Sequence, residues 1–357
     1  MRRRTHHTLP YQGQIMSLHA SPSAPSPTTD IRPSLFRFAP GELSQDAVLG
    51  WLLEWADHAC AGMDPALHRA GLRFLNSLLA EHGLGPLEAP RVEVRAQEGR
   101  IDLTCRVNDD LLVLIEDKTD TSEHSNQLER SLSFAKAKCP ERKVLPILLK
   151  TGDQSSYDAA RKLGYKTYLR AKLLEVLEAG QRDGAASDIY ADFLRHLQRR
   201  EDAVQSFRHK PVTEWTGDAW RGFYMQLQRE VEGLHWGYVA NASGGFMGAW
   251  WHRRPWGNHT PYLQIEQGPL CFKIEVNRPV DHRKILDSWL ARLNTAGERM
   301  GMPRLVNRRR FRAGTSMTVA TWDDWLVRTA DGRLDYTSSL QNLRRAEDRV
   351  NASLSQP

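Results

Sequence analysis

The chain has 357 residues, 40% of them hydrophobic and 26% charged, so it can bury a core of ordinary depth, and its length favours two domains. The formal net charge of +6 weakly favours a polyanionic partner. The four cysteines form no CxxC pair, which argues against structural zinc, and no apolar run approaches the roughly 20 residues that cross a bilayer. The basic start lacks the apolar stretch of a secretory signal. We therefore expect a cytoplasmic protein without a membrane partner.

Hydrophobic periodicity predicts an α/β domain over residues 34–200, after a disordered tail over 1–33 that is rich in Ser, Pro, Thr and His. The predicted elements are, in order, helices over 42–56 and 68–82, strands over 92–96, 101–107 and 111–116, a helix over 120–138, a strand over 143–149, a helix over 157–163, a strand over 165–169, and helices to about residue 200. The first helix has its start signal at Ser44, and Asp120 with Glu123 resembles a capping box. This order predicts a mixed sheet flanked by helices.

The composition changes after a polar boundary over residues 199–211. Nine of the eleven tryptophans lie after residue 210. A helix over 215–231, several strands between 236 and 276, and a helix over 281–300 predict a separate α+β domain at 205–345. We expect this domain to select a substrate or partner, and residues 346–357 to form a tail.

The chemistry is concentrated where the strand over 111–116 meets three charges, Glu116, Asp117 and Lys118. Side chains alternate along a strand, so Glu116 and Lys118 share one face and Asp117 points to the other. If residues 108–110 form a three-residue hairpin loop, residues pair when their numbers sum to 218. In that register Asp102 lies directly opposite Glu116.

Two carboxylates this close are unfavourable unless a proton or a cation neutralises them. Mg²⁺ suits an all-oxygen site, and Mn²⁺ is expected to substitute for it. A divalent cation there would activate water and offset the charge that develops in phosphodiester hydrolysis. Lys118 could orient or deprotonate the attacking water, or stabilise that charge. Asp102, Glu116 and Lys118 therefore predict a metal-dependent phosphodiesterase site.

The pattern D-x13-E-x-K at the end of an apolar hairpin, followed by a helix, resembles the PD-(D/E)XK nuclease superfamily. Gly99–Asp102 and Ile115–Lys118, with Gln127 in the next helix, are similar to its subfamily with GRID and ExK signatures. Upstream, Asp46–Leu53 resembles the first helix of those proteins. Two C-terminal segments, Trp236–Val239 and Ser243–Phe246, look like their C-terminal extension. The resemblance covers most of residues 35–345.

This resemblance implies a restriction-endonuclease-like fold. It makes Asp102 and Glu116 metal ligands, and Lys118 and Gln127 catalytic residues. Family members often add a first-helix glutamate as a ligand; Glu42 is the nearest candidate, and Gln45 and Asp46 compete with it. The chain departs from the pattern at two positions, where Ser131 replaces a tyrosine and Ile101 replaces a proline.

Basic residues supply candidates for nucleic-acid binding. Arg308, Arg309 and Arg310 form the densest basic run, which either follows a nucleic-acid backbone or is a solvated loop. Arg100 would oppose Lys118 in the hairpin register, either as a phosphate clamp or as an unfavourable like-charge pair.

The sequence thus predicts a Mg²⁺-dependent nuclease that acts on nucleic acid, for which we expect DNA. The principal alternative is a binding module with the same fold that holds nucleic acid or a protein without cutting. A third interpretation is a component of a defence or mobile-element system whose cleavage depends on a partner. A homodimer and a complex with an accessory protein are both left open.

Overall fold

The computed structural model describes residues 32–99, 101–120, 126–241, 244–276, 281–307 and 314–355. Leu35–Pro357 form one compact unit. The tail predicted over 1–33 lies almost entirely outside the described residues. No helix in the described ranges is both long enough and apolar enough to span a membrane.

Helices and strands alternate in the first part of the chain as the periodicity predicts. In chain order they are α1 (Glu42–Glu54), α2 (Pro65–Glu81), β1 (Val92–Glu98), β2 (Ile101–Val107), β3 (Leu111–Lys118), α3 (Gln127–Lys138), β4 (Lys143–Lys150), α4 (Asp158–Lys162), β5 (Lys166–Leu169), α5 (Arg170–Arg182) and α6 (Asp188–Gln205).

The five strands form one mixed sheet in the order β1-β2-β3-β4-β5. The pairs β1–β2 and β2–β3 are antiparallel, while β3–β4 and β4–β5 are parallel. One face packs on α1, α2, α5 and α6, and the other packs on α3 and α4. The predicted α/β architecture, a mixed sheet flanked by helices, is therefore confirmed.

The β2–β3 hairpin has the register that the sequence predicts. Its partners run from Val107 opposite Leu111 to Leu103 opposite Ile115, and each pair sums to 218. The loop opens on Asn108, which has a positive φ of 49° that asparagine tolerates better than most residues. Asp102 and Glu116 are the next residues in this register.

A cluster of charged side chains lies at the C-terminal end of β1, around Glu98. Glu98 is largely buried and accepts a hydrogen bond from Lys138 at 2.7 Å, with Arg106 at 3.3 Å. Partial burial alone would raise the pKa of Glu98, but these cations lower it to about 2. The cluster ties the edge strand to the end of α3.

Helix α1 begins at Glu42, as its predicted range does, but it follows Gly41, and Ser44 lies inside its first turn. Two other helix starts differ from the prediction. Helix α2 begins at Pro65, because the Asp64 carboxylate accepts the backbone N–H groups that follow it. Helix α3 begins only at Gln127, after Asn126 in the left-handed conformation.

The expected capping box of α3 does not start that helix. Glu123 lies outside the described residues. Asp120 pairs instead with Arg200, at 2.7 Å.

The second part of the chain forms an antiparallel sheet with helices. Its elements are α7 (Gly217–Gln228), β6 (His235–Val239), β7 (Phe246–Trp251), β8 (His259–Glu266), β9 (Leu270–Val276), α8 (His282–Arg299), β10 (Ser316–Trp322) and α9 (Tyr336–Leu354). The strand order is β10-β9-β8-β7-β6, and the sheet packs around a core of its own. The predicted α+β character is confirmed.

Two features of this part depart from the sequence expectations. The tail expected at 346–357 is a helix as far as Leu354, because Ala346 and Val350 are buried in the core. Helix α6 also continues to Gln205, into the polar stretch over 199–211 that the composition predicts as a boundary.

Candidate active site

The site is built where β3 leaves the core. Val113 and Ile115 belong to the core on the α1 side, and Leu112 and Leu114 to the core on the α3 side. If this alternation continues, Glu116 lies on the α3 side of the sheet and Asp117 on the α1 side. The two side chains are therefore on opposite faces, as predicted. All three terminal charges of β3 are buried, so they need partners within the protein.

Lys118 lies among three carboxylates. Its Nζ is 3.0 Å from Asp102 and 3.9 Å from both Glu116 and Glu42. Burial alone would lower the pKa of Lys118, but the neighbouring carboxylates, Asp102 first, raise it. These carboxylates favour the ammonium form of Lys118, which suits orientation of water or charge stabilisation.

Glu116 is fully buried. Its Oε2 accepts a hydrogen bond from Gln127 Nε2 at 2.9 Å, while its Oε1 has no hydrogen-bond partner among the described residues. Burial raises the pKa of Glu116 to about 7; Ser131 lowers it by hydrogen bonding, and the nearby Asp102 raises it further. Glu116 and Asp102 are close neighbours, since the Lys118 Nζ lies 3.9 Å from the first and 3.0 Å from the second.

Gln127 and Ser131 stand one helical turn apart at the start of α3. Both contact Glu116. The serine that replaces the tyrosine of the family pattern thus touches the same carboxylate, a contact that the sequence comparison did not predict.

Glu42 is the first-helix acid that reaches the site. It is the first residue of α1, and its Oε1 accepts the backbone N–H of Thr119 at 2.8 Å. Gln45 and Asp46, one turn further along, contact Asp117 on the opposite side of β3. Among the three competing residues, Glu42 is the one that the structure brings beside Lys118.

A second pair of carboxylates lies behind the first. Gln45 Nε2 donates to both oxygens of Asp117, at 2.5 and 2.7 Å, and Gln45 Oε1 accepts from Thr151 Oγ1 at 2.8 Å. Asp46 lies beside Asp117, and burial raises the pKa of both carboxyl groups, that of Asp46 to about 7.

Asp117 faces away from Glu116 and is not among the predicted site residues. Its face is as predicted, but its partners were missed. The available signal was the spacing of Glu42, Gln45 and Asp46, which places all three on one face of α1.

Carboxyl groups outnumber cations at this end of β3. Glu42, Asp102 and Glu116 lie around the Lys118 ammonium, and Asp46 and Asp117 form the second pair behind them. Within the described ranges, no group of three or more Asp, Glu, His or Cys side chains is arranged to hold a metal ion. The adjacent pair Asp102 and Glu116, with the unpartnered Oε1, still fits the oxygen ligands of a hard divalent cation that keeps several waters.

The predicted basic contacts cannot be placed. Arg100 and the run Arg308, Arg309 and Arg310 lie outside the described residues.

Comparison with known proteins finds a family match over part of the chain. Residues 88–203 match the family model of the PD-(D/E)XK nuclease superfamily. The matched segment is about a third of the chain and includes Asp102, Glu116, Lys118 and Gln127. The match is to the superfamily, and the GRID/ExK subfamily stays a prediction. No curated protein and no solved structure matches the chain. The mixed sheet is consistent with the fold of this superfamily, whose members are generally nucleases that cleave phosphodiester bonds.

Proposed function

We propose that this protein is a divalent-metal-dependent nuclease that hydrolyses phosphodiester bonds in DNA, with Mg²⁺ as its metal. The observation that carries the proposal is the fully buried Glu116, beside Asp102 and with one oxygen unpartnered. A protein that had no use for a cation would gain stability by replacing one of these two carboxylates.

Asp102 and Glu116 would hold the cation, with Glu42 as a further ligand. A bound divalent cation would lower the pKa of a coordinated water and offset negative charge on the scissile phosphate. Gln127 fixes the orientation of Glu116 through its 2.9 Å hydrogen bond. The Lys118 ammonium would donate to a phosphate oxygen or orient the attacking water, because its raised pKa keeps it charged.

DNA is proposed from the superfamily match together with the basic net charge of +6. The region 205–345 has a separate sheet and core, and we propose that it selects the substrate or a partner. Asp117, Asp46 and Gln45 would position α1, and with it Glu42, against the end of β3.

The test is cleavage of supercoiled plasmid, linear duplex and single-stranded DNA in Mg²⁺ or Mn²⁺. The Asp102→Asn, Glu116→Gln and Lys118→Ala variants are each expected to lose at least about a hundredfold in single-turnover rate. Loss of all activity in EDTA is also expected.

Matched controls are available on the same sheet. Asp109→Asn in the β2–β3 loop and Lys143→Ala at the far end of β4 change the same charges at exposed positions. Both should cut like the wild type. A wild type that cuts no substrate faster than Glu116→Gln would remove the enzymatic proposal and leave the non-cleaving binding module.

A further inference from the structure

A cavity rich in arginine lies between α6 and α7, beside the segment that leaves β3. Its volume is about 360 Å³. One molecule of liquid water takes up about 30 Å³, so a phosphate group and its hydration fit inside. The charged lining of the cavity consists of four arginines and two aspartates, namely Arg170, Arg199, Arg200, Arg221, Asp120 and Asp218.

Two of these arginines converge on one acceptor. Arg200 lies 2.7 Å and Arg221 3.9 Å from the same oxygen, Oδ1 of Asp120. Both guanidinium groups are mostly buried, with 22% and 19% of their side chains exposed, whereas 59% of Asp120 is exposed. The two cations are thus fixed in the wall of the cavity, and the anion between them is the more accessible partner.

The other charges decide how strongly this cavity attracts an anion. Arg170 is neutralised by Asp153 at 2.9 Å and Glu201 at 2.8 Å, so it supplies structure and no free charge. Asp218 pairs with Arg221 at 2.9 Å.

Arg199 adds an exposed cation at the mouth. Burial, helped by the neighbouring arginines, lowers the pKa of His196 to about 4, so the imidazole is neutral at physiological pH. The cavity is therefore close to neutral while Asp120 is paired, and displacement of Asp120 leaves Arg200 without the carboxylate that lies 2.7 Å from it.

The cavity is linked to the candidate active site by short connections. Asp120 follows Lys118 by two residues. The backbone N–H of Thr151 donates to the carbonyl of Lys118 at 3.2 Å, and Arg170 donates to the carbonyl of Thr151 at 2.6 Å. An anion held between Arg200 and Arg221 would replace the side chain of Asp120, two residues after Lys118 in the sequence.

We propose that Arg200 and Arg221 bind a phosphate group of the nucleic-acid strand on which the protein acts, a role that rests on the proposed nuclease function. The Asp120 carboxylate pairs with them in the absence of nucleic acid, and the phosphate replaces it. Guanidinium groups suit this exchange because they bind phosphate oxygens with two parallel N–H donors. Released counterions add to the affinity.

The test measures binding without cleavage. The full-length protein is titrated onto fluorescently labelled duplex DNA in EDTA over a range of salt concentrations, for the wild type, Arg200→Ala and Arg221→Ala. Each variant is expected to raise the Kd about tenfold. Each should also reduce the slope of log Kd against log salt by about one.

Two further variants control for charge and folding. Arg182→Ala removes an exposed arginine at the other end of α5 from Arg170, about 18 Å away along the helix, and should bind like the wild type. Asp120→Asn removes the competing anion and should tighten binding by about two- to fivefold. A variant that merely unfolds cannot produce this gain.

Two DNA substrates distinguish an internal backbone phosphate from a terminal 5′-phosphate as the bound group. Equal losses on duplexes with 5′-phosphate and 5′-hydroxyl ends identify an internal backbone phosphate, and a loss restricted to the 5′-phosphorylated duplex identifies a terminal one. If Arg200→Ala and Arg221→Ala both bind like Arg182→Ala, the assignment is wrong.

Single-turnover cleavage in Mg²⁺ separates this outcome from failure of the nuclease proposal. A wild type that cuts while both variants bind normally overturns the cavity assignment alone. A wild type that binds through these arginines and never cuts overturns the nuclease alone.

Discussion

Replacing Glu116 by glutamine should stabilise the metal-free protein at alkaline pH while it abolishes cleavage. Glu116 is fully buried among like charges, and burial raises its pKa from 4.5 to about 7. The raised pKa means that folding favours the protonated carboxyl group. The stabilising contribution of this group is therefore complete below pH 4.5 and is lost as the pH rises through 7.

The magnitude follows from the pKa values. A shift from 4.5 to about 7 corresponds to on the order of 3 kcal/mol between the two protonation states, at 1.36 kcal/mol per pKa unit. The glutamine amide still accepts from Gln127 and gains a donor for Asp102. With an unfolding entropy of roughly 2 cal/mol/K per residue, the expected increase in Tm at pH 8 is about 4 °C.

The assay is thermal unfolding followed by tryptophan fluorescence in EDTA, at pH 5 and pH 8. Glu116→Gln should exceed the wild type at pH 8 and match it at pH 5. Glu129→Gln, an exposed glutamate in α3, is the matched control and should change neither value by more than about 1 °C. Added Mg²⁺ should raise the Tm of the wild type and not that of Glu116→Gln. A Glu116→Gln variant no more stable than the wild type at pH 8 would refute the claim that this carboxylate is electrostatically strained.

Three further predictions concern the surroundings of the site and the second core. Gln45→Leu removes both hydrogen bonds to the buried Asp117 and should lower the free energy of unfolding by on the order of 2 kcal/mol in urea, whereas Gln45→Glu should destabilise further as the pH rises. The pKa of Glu98 is lowered to about 2, so the stability that this carboxylate contributes is present above pH 4.5 and is lost as the pH falls through 2. In urea titrations, Glu98→Gln should have a lower free energy of unfolding than the wild type at pH 7, and this difference should shrink below pH 4.5. A difference that stays constant with pH would contradict this. In the second core, Gly297→Ala adds a Cβ that would meet the buried guanidinium of Arg349, which joins α8 to α9. The free energy of unfolding should fall by about 2–3 kcal/mol. An unchanged denaturation midpoint would show that Arg349 can move aside.

The positions of Asp102, Glu116 and Lys118 were predictable because their geometry is local. Strand alternation separates Glu116 from Asp117, and a three-residue loop fixes Asp102 opposite Glu116, as the observed register shows. Both arguments use fewer than twenty residues of sequence. The mixed sheet followed from the same kind of pattern, since β2, β3 and β4 are short apolar runs bounded by turn residues.

Contacts between distant elements were not predictable in this way. The pairing of Gln45 with Asp117 joins residues 72 positions apart and depends on how α1 packs on the sheet. The meeting of Arg200 and Arg221 at Asp120 likewise depends on the packing of α6 against α7.

Other differences had a signal that was overlooked. Asp64-Pro65 marks the start of α2, and Asp335 caps α9 by accepting the N–H of Ser338. Aspartate followed by a helical apolar pattern predicts both starts. The late start of α3 at Gln127 had no such signal, because Asp120 offers an equally good cap but pairs with Arg200 instead.

The central claim is that the carboxylates around Lys118 hold a divalent cation, and Mn²⁺ titration followed by electron paramagnetic resonance tests it most directly. At pH 8 the wild type should remove at least one equivalent of Mn²⁺ from the free signal, and Mg²⁺ should compete for it. Glu116→Gln should lose this binding, while Glu129→Gln should retain it. Equal Mn²⁺ binding by the wild type and Glu116→Gln, or no binding by either, would contradict the account.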